Sequence, residues 1–193
     1  MEFSGKKVTV VGTGISGIGA VGLLNAVGAQ VVLYDGNEKL KIEDIEKKLG
    51  TYKAEIVLGE LTKELTDSSD LLVISPGVPI DSPVVKAFEA AGVPVWGEVE
   101  LAYAFDKGKV LAITGTNGKT TTTALVGQIV GAYHKDTFVV GNIGNPYTTE
   151  VLKSNKDSYT VAEISSFQLE TVHEFHPLVS AILNITPDHL NRP

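Results

Sequence analysis

The chain has 193 residues, 43% apolar and 20% charged, enough to bury a core in one or two domains. A formal charge of −7, with a single arginine (Arg192) among the cations, argues against broad nucleic-acid or anionic-membrane binding and against bidentate arginine clamps on phosphate. The absence of cysteine excludes disulfides, thiolate metal sites and thiol nucleophiles; with no secretory signal at its start and no apolar run near the roughly 18 residues a span needs, a cytoplasmic protein is expected.

Short β-rich runs alternate with helical patterns from end to end, as in a parallel α/β sheet covered on both faces. Residues 7–11 read as the first strand, 18–27 as a helix, 31–35 as the second strand and 38–49 as a charged helix. Strands are expected at 55–58, 71–75 and 93–96, with a helix at 82–91 and a short helix at 98–105 that leads out of this unit. The polar run Asp106-Lys107-Gly108-Lys109 reads as a break between domains, which places the expected units at 1–106 and 107–193. The second unit is expected to run strand 110–114, helix 119–132, strand 137–140, a helix near 146–153, and strands at 160–164 and 181–185. It is also expected to be incomplete, because chemistry-bearing residues crowd its last positions.

In the first unit, Gly12-Thr13-Gly14-Ile15-Ser16-Gly17 follows a strand and opens a helix, and Asp35 ends the next strand. Glycines at that spacing permit a tight turn and close approach of backbone to a pyrophosphate, while the helix N-terminus adds partial positive charge. Asp35 can accept hydrogen bonds from a ribose hydroxyl or a base imide. The loop reads a pyrophosphate rather than a nicotinamide. From this unit alone NAD, the motif's usual ligand, is preferred over a UDP-type ligand that the same physics fits, and a ligand-free structural role for the glycines is a further alternative. Ser75-Pro76-Gly77 ends another strand, where an open α/β sheet presents ligands, although Pro-Gly is also an ordinary turn pair.

In the second unit, Gly115-Thr116-Asn117-Gly118-Lys119-Thr120-Thr121 stands between a strand and a helix. Such a turn aims consecutive N–H groups at phosphate oxygens, Lys119 adds a cation for the β/γ-phosphates, and Thr120 offers a hydroxyl to Mg²⁺. ATP or GTP is therefore expected. The loop is shorter than the usual form, with Ile113 in place of its first glycine. Glu163 lies near the end of an apolar strand, where P-loop proteins hold the metal from a neighbouring strand; pairing with Lys119 or a solvated edge are the alternatives. His189 can bind a second metal or a phosphate-bearing substrate, and Asn142 sits on a glycine-flanked turn. The two glycine loops are expected to face a common cleft.

The shortened loop at 115–121, with Glu163-Ile164-Ser165-Ser166-Phe167-Gln168-Leu169-Glu170 and Leu183-Asn184-Ile185-Thr186-Pro187-Asp188-His189-Leu190, resembles the Mur ligase family, ATP-dependent amide-forming enzymes of peptidoglycan synthesis. Within it, these segments look most like the branch that adds D-glutamate to UDP-N-acetylmuramoyl-L-alanine. The resemblance implies a Rossmann-like, UDP-substrate-binding first domain, followed by an incomplete P-loop α/β domain that binds ATP and Mg²⁺. It reverses the preference for NAD. Gly14, Ile15, Ser16, Asp35 and Gly36 would lie around the uridine diphosphate, with Ser75 and Gly77 nearby. Asn142, Ser165, Gln168 and His189 would surround the muramoyl-alanine end. Gly36 departs from the family's common hydroxyl residue, so a uracil contact there must come from backbone. The implied chemistry is phosphorylation of the substrate carboxylate by ATP, then attack of the D-glutamate amine on the acyl phosphate. One Mg²⁺ would sit at Thr120 and Glu163, and a second at His189 and a carbamylated lysine further along the family's sequence. No third domain follows in this chain, so little ligase activity of its own is expected, and a monomer is the default.

Overall fold

The computed structural model describes residues 2–188 and contains two parallel sheets joined through a shared seam. The first sheet has the order β3-β2-β1-β4-β5, from β1 (Lys7–Val11), β2 (Gln30–Asp35), β3 (Glu55–Leu58), β4 (Leu71–Ile74) and β5 (Val95–Gly97). Alternation along β1 sends Val8 and Val10 to one face and Val11 to the other, and each face has its own buried apolar cluster. Helix α1 (Ile15–Ala26) and α2 (Ile42–Leu49) pack with the first cluster; α3 (Lys63–Ser68) and α4 (Pro83–Ala90) contribute Leu65, Val85 and Phe88 to the second. Because the chain winds outward from β1 in one direction and from β4 in the other, the order reverses between those two strands. An open α/β sheet binds ligands at such a point.

Helix α5 (Glu98–Tyr103) leads into the second sheet, of order β7-β8-β6-β9. Its strands are β6 (Lys109–Thr114), β7 (Thr137–Gly141), β8 (Tyr159–Glu163) and β9 (Val179–Ile182), with α6 (Lys119–Tyr133), α7 (Tyr147–Glu150), a 3₁₀ turn at Val151–Lys153 and α8 (Ser166–Leu169) between them. All described strand pairings are parallel, as the alternating pattern predicts.

Several boundaries differ from expectation. Helix α1 begins three residues early, directly out of the glycine loop. Helix α2 begins four residues late, because the Asn37 side chain accepts the Lys39 N–H and holds a turn there. Helices α3 and α8 were not expected. The final strand runs Val179–Ile182 rather than 181–185, since its partner β6 ends at Thr114, which pairs with Ile182 before turning into the loop.

The seam between the sheets is closely built. One apolar cluster runs from Val8, Leu23 and Leu33 through Val99 and Leu101 to Tyr147, Val151 and Ile164. Glu98 accepts from the Thr148 N–H (2.8 Å) and hydroxyl (2.9 Å), satisfying donors at the start of α7. Glu100 accepts from the N–H groups of His173, Glu174 and Phe175. Both carboxylates are buried. Burial pushes the Glu98 carboxyl above its ordinary range, against the opposing effect of its hydrogen bonds. Asp106, in the expected break, is pinned: it accepts from the Tyr147 hydroxyl (2.6 Å), the Thr160 hydroxyl (2.7 Å) and the Gly108 N–H (2.7 Å). Burial and Asp106 drive the Tyr147 phenol far above its ordinary range. Trp96 packs edge-on against Phe3, and the next residue on β5, Gly97, donates its N–H to the Thr171 carbonyl. Among the described residues, no helix is long and apolar enough to cross a membrane.

Candidate functional site

The first cradle lies at the switch point between β1 and β4. Gly12 has φ of +103°, and a Cβ on Gly17 would come within 1.9 Å of the Gly12 carbonyl oxygen, so only glycine lets α1 start this close to the loop. The Ser75 hydroxyl at the end of β4 reaches the same spot; it is buried with no hydrogen-bond partner among the described residues. Asp35 holds the loop from β2, its carboxylate accepting from the Thr13 N–H (3.3 Å), the Thr13 hydroxyl (3.0 Å) and the Asn37 N–H (3.1 Å). Beside it, burial and the Asp35 charge raise the Tyr34 phenol above its ordinary range. Thr13, Gly14 and Ile15 border a groove of about 470 Å³ with Ile18, Lys48 and Tyr52. Gly14, Gly36 and Gly77 leave open backbone, since an added Cβ meets little or nothing at each.

The second cradle borders a separate cleft of about 640 Å³. Pro76 and Gly77 of the first unit line it from one side; Gly115, Thr116, Lys119, Asn142 and Ser165 line it from the other. The two glycine loops thus border different cavities, although the second is lined by residues of both units. No residue of 12–17 lines this cleft, whereas Pro76 and Gly77, which follow Ser75 beside the first loop, do.

Parallel register builds the cleft floor. Glu163, last in β8, is aligned with Ile113 near the end of β6 and with Gly141 at the end of β7. Its carboxylate is 1% exposed as a residue. Oε1 accepts from the Asn142 side-chain amide at 3.1 Å, while Oε2 is buried with no hydrogen-bond partner among the described residues. The alternatives of a Lys119 pair and a solvated edge are both set aside by this arrangement. Lys119 instead donates to the carbonyls of Gly115 (2.7 Å) and Thr116 (3.0 Å).

Not all N–H groups of the loop converge on the cradle. Those of Thr116 and Asn117 are taken by the backbone carbonyl and side chain of Asn184. The N–H groups of the first turn of α6 follow Gly118 and have no acceptor within the helix, so they are among the donors that an anion could take. Thr120 and Thr121 stand in that turn, and Thr120 is exposed.

Ser165 and Gln168 form a reciprocal cap on α8. The Gln168 side-chain oxygen accepts the Ser165 N–H, and the Ser165 hydroxyl accepts the Gln168 N–H. Ser165 lines the cleft; Gln168 is buried at the seam against Ser75 and Glu98. Ile15 and Ser16 open α1, with Ile15 79% exposed. His189 lies outside the described residues. Among the described residues no cluster of three or more acidic, histidine or cysteine side chains could hold a metal, so what those residues could offer a cation here is Glu163 with a hydroxyl. An orphaned, buried carboxylate oxygen fits such a cation, since ionic charge would offset its desolvation.

Sequence reasoning missed Asn184 and Thr186 as contacts of the loop. The only available signal was their place in the segment 183–190, which carries the family resemblance and whose first residues fall in the expected strand 181–185.

Residues 6–97 match the family described as Mur ligase MurD-like, N-terminal domain, and residues 113–192 match the Mur ligase middle domain. The chain is 72% identical over 192 residues to a UDP-N-acetylmuramoylalanine–D-glutamate ligase of Lachnospira eligens, and 61% identical over 193 residues to the ligase of that name from Lachnoclostridium phytofermentans. Both alignments cover the whole of this chain, which spans 43% and 42% of those proteins. Among solved structures, a UDP-N-acetylmuramate:L-alanyl-gamma-D-glutamyl-meso-diaminopimelate ligase from Neisseria meningitides shares the fold. Its TM-score is 0.59 at 18% identity, over 98% of this chain and 63% of that one.

Proposed function

Because this chain belongs to the Mur ligase family, we propose that it holds UDP-N-acetylmuramoyl-L-alanine and ATP for the joining of D-glutamate to the alanyl carboxylate. The two domains would divide that work: 1–106 binds the UDP part, and 107–193 binds ATP. The observation that carries this reading is Glu163, which ends a strand beside the phosphate loop with one buried oxygen that has no partner among the described residues.

The residues would act as follows. The N–H groups at the start of α6 bind phosphate oxygens, and Lys119 exchanges its two loop carbonyls for the same oxygens. Asn142 keeps the Glu163 carboxylate turned by holding one oxygen. Glu163 and Thr120 would hold one Mg²⁺, and His189 would help to hold a second. When bound, Mg²⁺ supplies positive charge where a phosphoryl group and a carboxylate, both anionic, must meet. The pyrophosphate of the UDP substrate would rest on residues 12–17 and Ser75, with Asp35, Gly36, Ile15 and Ser16 around the nucleoside. From Gly77, at the lip of the cleft, the substrate would cross to Asn142, Ser165 and Gln168. Acyl phosphate formed there is the species that the D-glutamate amine attacks.

Titration calorimetry of the 193-residue chain with UDP-N-acetylmuramoyl-L-alanine, MgATP and NAD tests the assignment. The first two are expected to bind and NAD is not. Binding of NAD without the UDP compound would replace this reading with an oxidoreductase domain.

A further inference from the structure

The segment after β9 runs beside the phosphate loop and is bonded to it through Leu183, Asn184 and Thr186. Leu183 donates its N–H to the Thr114 carbonyl (2.9 Å), and the Asn184 carbonyl accepts the Thr116 N–H (3.0 Å). The Asn184 side chain then pairs in both directions with one loop residue: Oδ1 accepts the Asn117 N–H at 2.8 Å and Nδ2 donates to the Asn117 carbonyl at 2.9 Å. Thr116 and Thr186 close the set, the Thr116 hydroxyl donating to the Thr186 carbonyl (3.0 Å) and accepting the Thr186 N–H (2.9 Å). A Cβ on Gly115 would meet the Asn184 backbone at 3.0 Å, so the two segments are in contact as well as bonded.

We infer that Asn184 is a positioning residue for the phosphate loop, acting through the two peptide groups that flank the Asn117 Cα. The inference rests on the reading of residues 115–121 as a phosphate cradle. A carboxamide is the one short side chain that offers a donor and an acceptor in the spacing of a peptide, so it pairs with a residue's main chain as a neighbouring strand would. By occupying the Asn117 N–H and carbonyl, Asn184 sets the conformation just before Gly118, where the backbone turns left-handed and α6 begins. The donors at the start of α6 are thereby aimed without any contact between Asn184 and the phosphate. Aspartate at 184 would keep the acceptor but set a second oxygen against the Asn117 carbonyl; leucine, of similar volume, would remove both bonds.

The test compares the parent chain with Asn184→Leu and Asn184→Asp in two measurements. Calorimetry with MgATP and with UDP-N-acetylmuramoyl-L-alanine is expected to show MgATP binding at least tenfold weaker in both variants, and binding of the UDP compound within twofold of the parent. Amide hydrogen exchange is expected to be at least tenfold faster at Asn117 in Asn184→Leu, with the β1 and β4 amides unchanged. Parent-like MgATP affinity in both variants overturns the inference, as does equal weakening of both ligands, which would mark a general folding role. Unchanged exchange at Asn117 overturns it whatever MgATP does. If the parent binds no MgATP yet Asn117 is protected and loses protection in Asn184→Leu, the clamp stands and the phosphate reading of the loop fails.

Discussion

Glu163 is buried at the end of β8, with one oxygen accepting from Asn142 and the other without a hydrogen-bond partner among the described residues. Such an atom costs about 1–3 kcal/mol when left unsatisfied. Glu163→Gln keeps an acceptor for the Asn142 amide and removes the charge. Urea unfolding in EDTA should find this variant as stable as the parent or more so, while MgATP affinity measured by calorimetry falls at least tenfold. A less stable protein with unaltered MgATP binding would make the carboxylate purely structural. The sequence shows why this residue could be found early: a lone acid in an apolar strand needs a partner, and its distance from the glycine loop is set by sheet register alone. Its partner Asn142 was harder to see, because that contact depends on β7 lying next to β8. Ser165 and Gln168 are assigned to the substrate only through the family resemblance; the structure shows them capping α8, a role that their spacing also describes.

Among elements, α5 carries the least expected task. Acids in a first helical turn ordinarily favour the helix dipole and face water. Here Glu98 and Glu100 reach out of that turn to backbone N–H groups of the second unit, about α7 and residues 173–175. Nothing local in the sequence marks this, since the partners lie 50 and 73 residues away. The same reasoning explains the missed helices: α3 and α8 are too short to show a helical period, and each is held by a cap at its start, Thr62 for α3 and Ser165 for α8. The raised Glu98 carboxyl has a pH signature. An unfolded chain releases this proton near the ordinary 4.5, and the folded chain only at higher pH. Between those points the folded state carries the extra proton, so stability falls as pH rises through the window. Urea unfolding across this range should show that decline, and Glu98→Gln should flatten it. An identical slope in the variant would mean that Glu98 is charged in the folded protein throughout.

At the scale of the whole chain, the alternation of strands and helices and both glycine loops were readable because each depends on neighbours in sequence. The run 106–109 reads as a break between domains for the same reason, and what the sequence does not show is how tightly the two sides are joined there: Asp106 is fastened to Tyr147 and Thr160, and one apolar cluster continues from the first sheet into the second. Heat should therefore unfold both sheets in one step, with calorimetric and van't Hoff enthalpies agreeing. Two resolved transitions would mean that the units fold independently. The packing of Trp96 adds a practical consequence. It is the one indole of this chain, set against Phe3 on the strand whose edge is covered by residues from beyond the seam. Its intrinsic emission is thus a built-in optical reporter of that junction, readable without a dye or an engineered label.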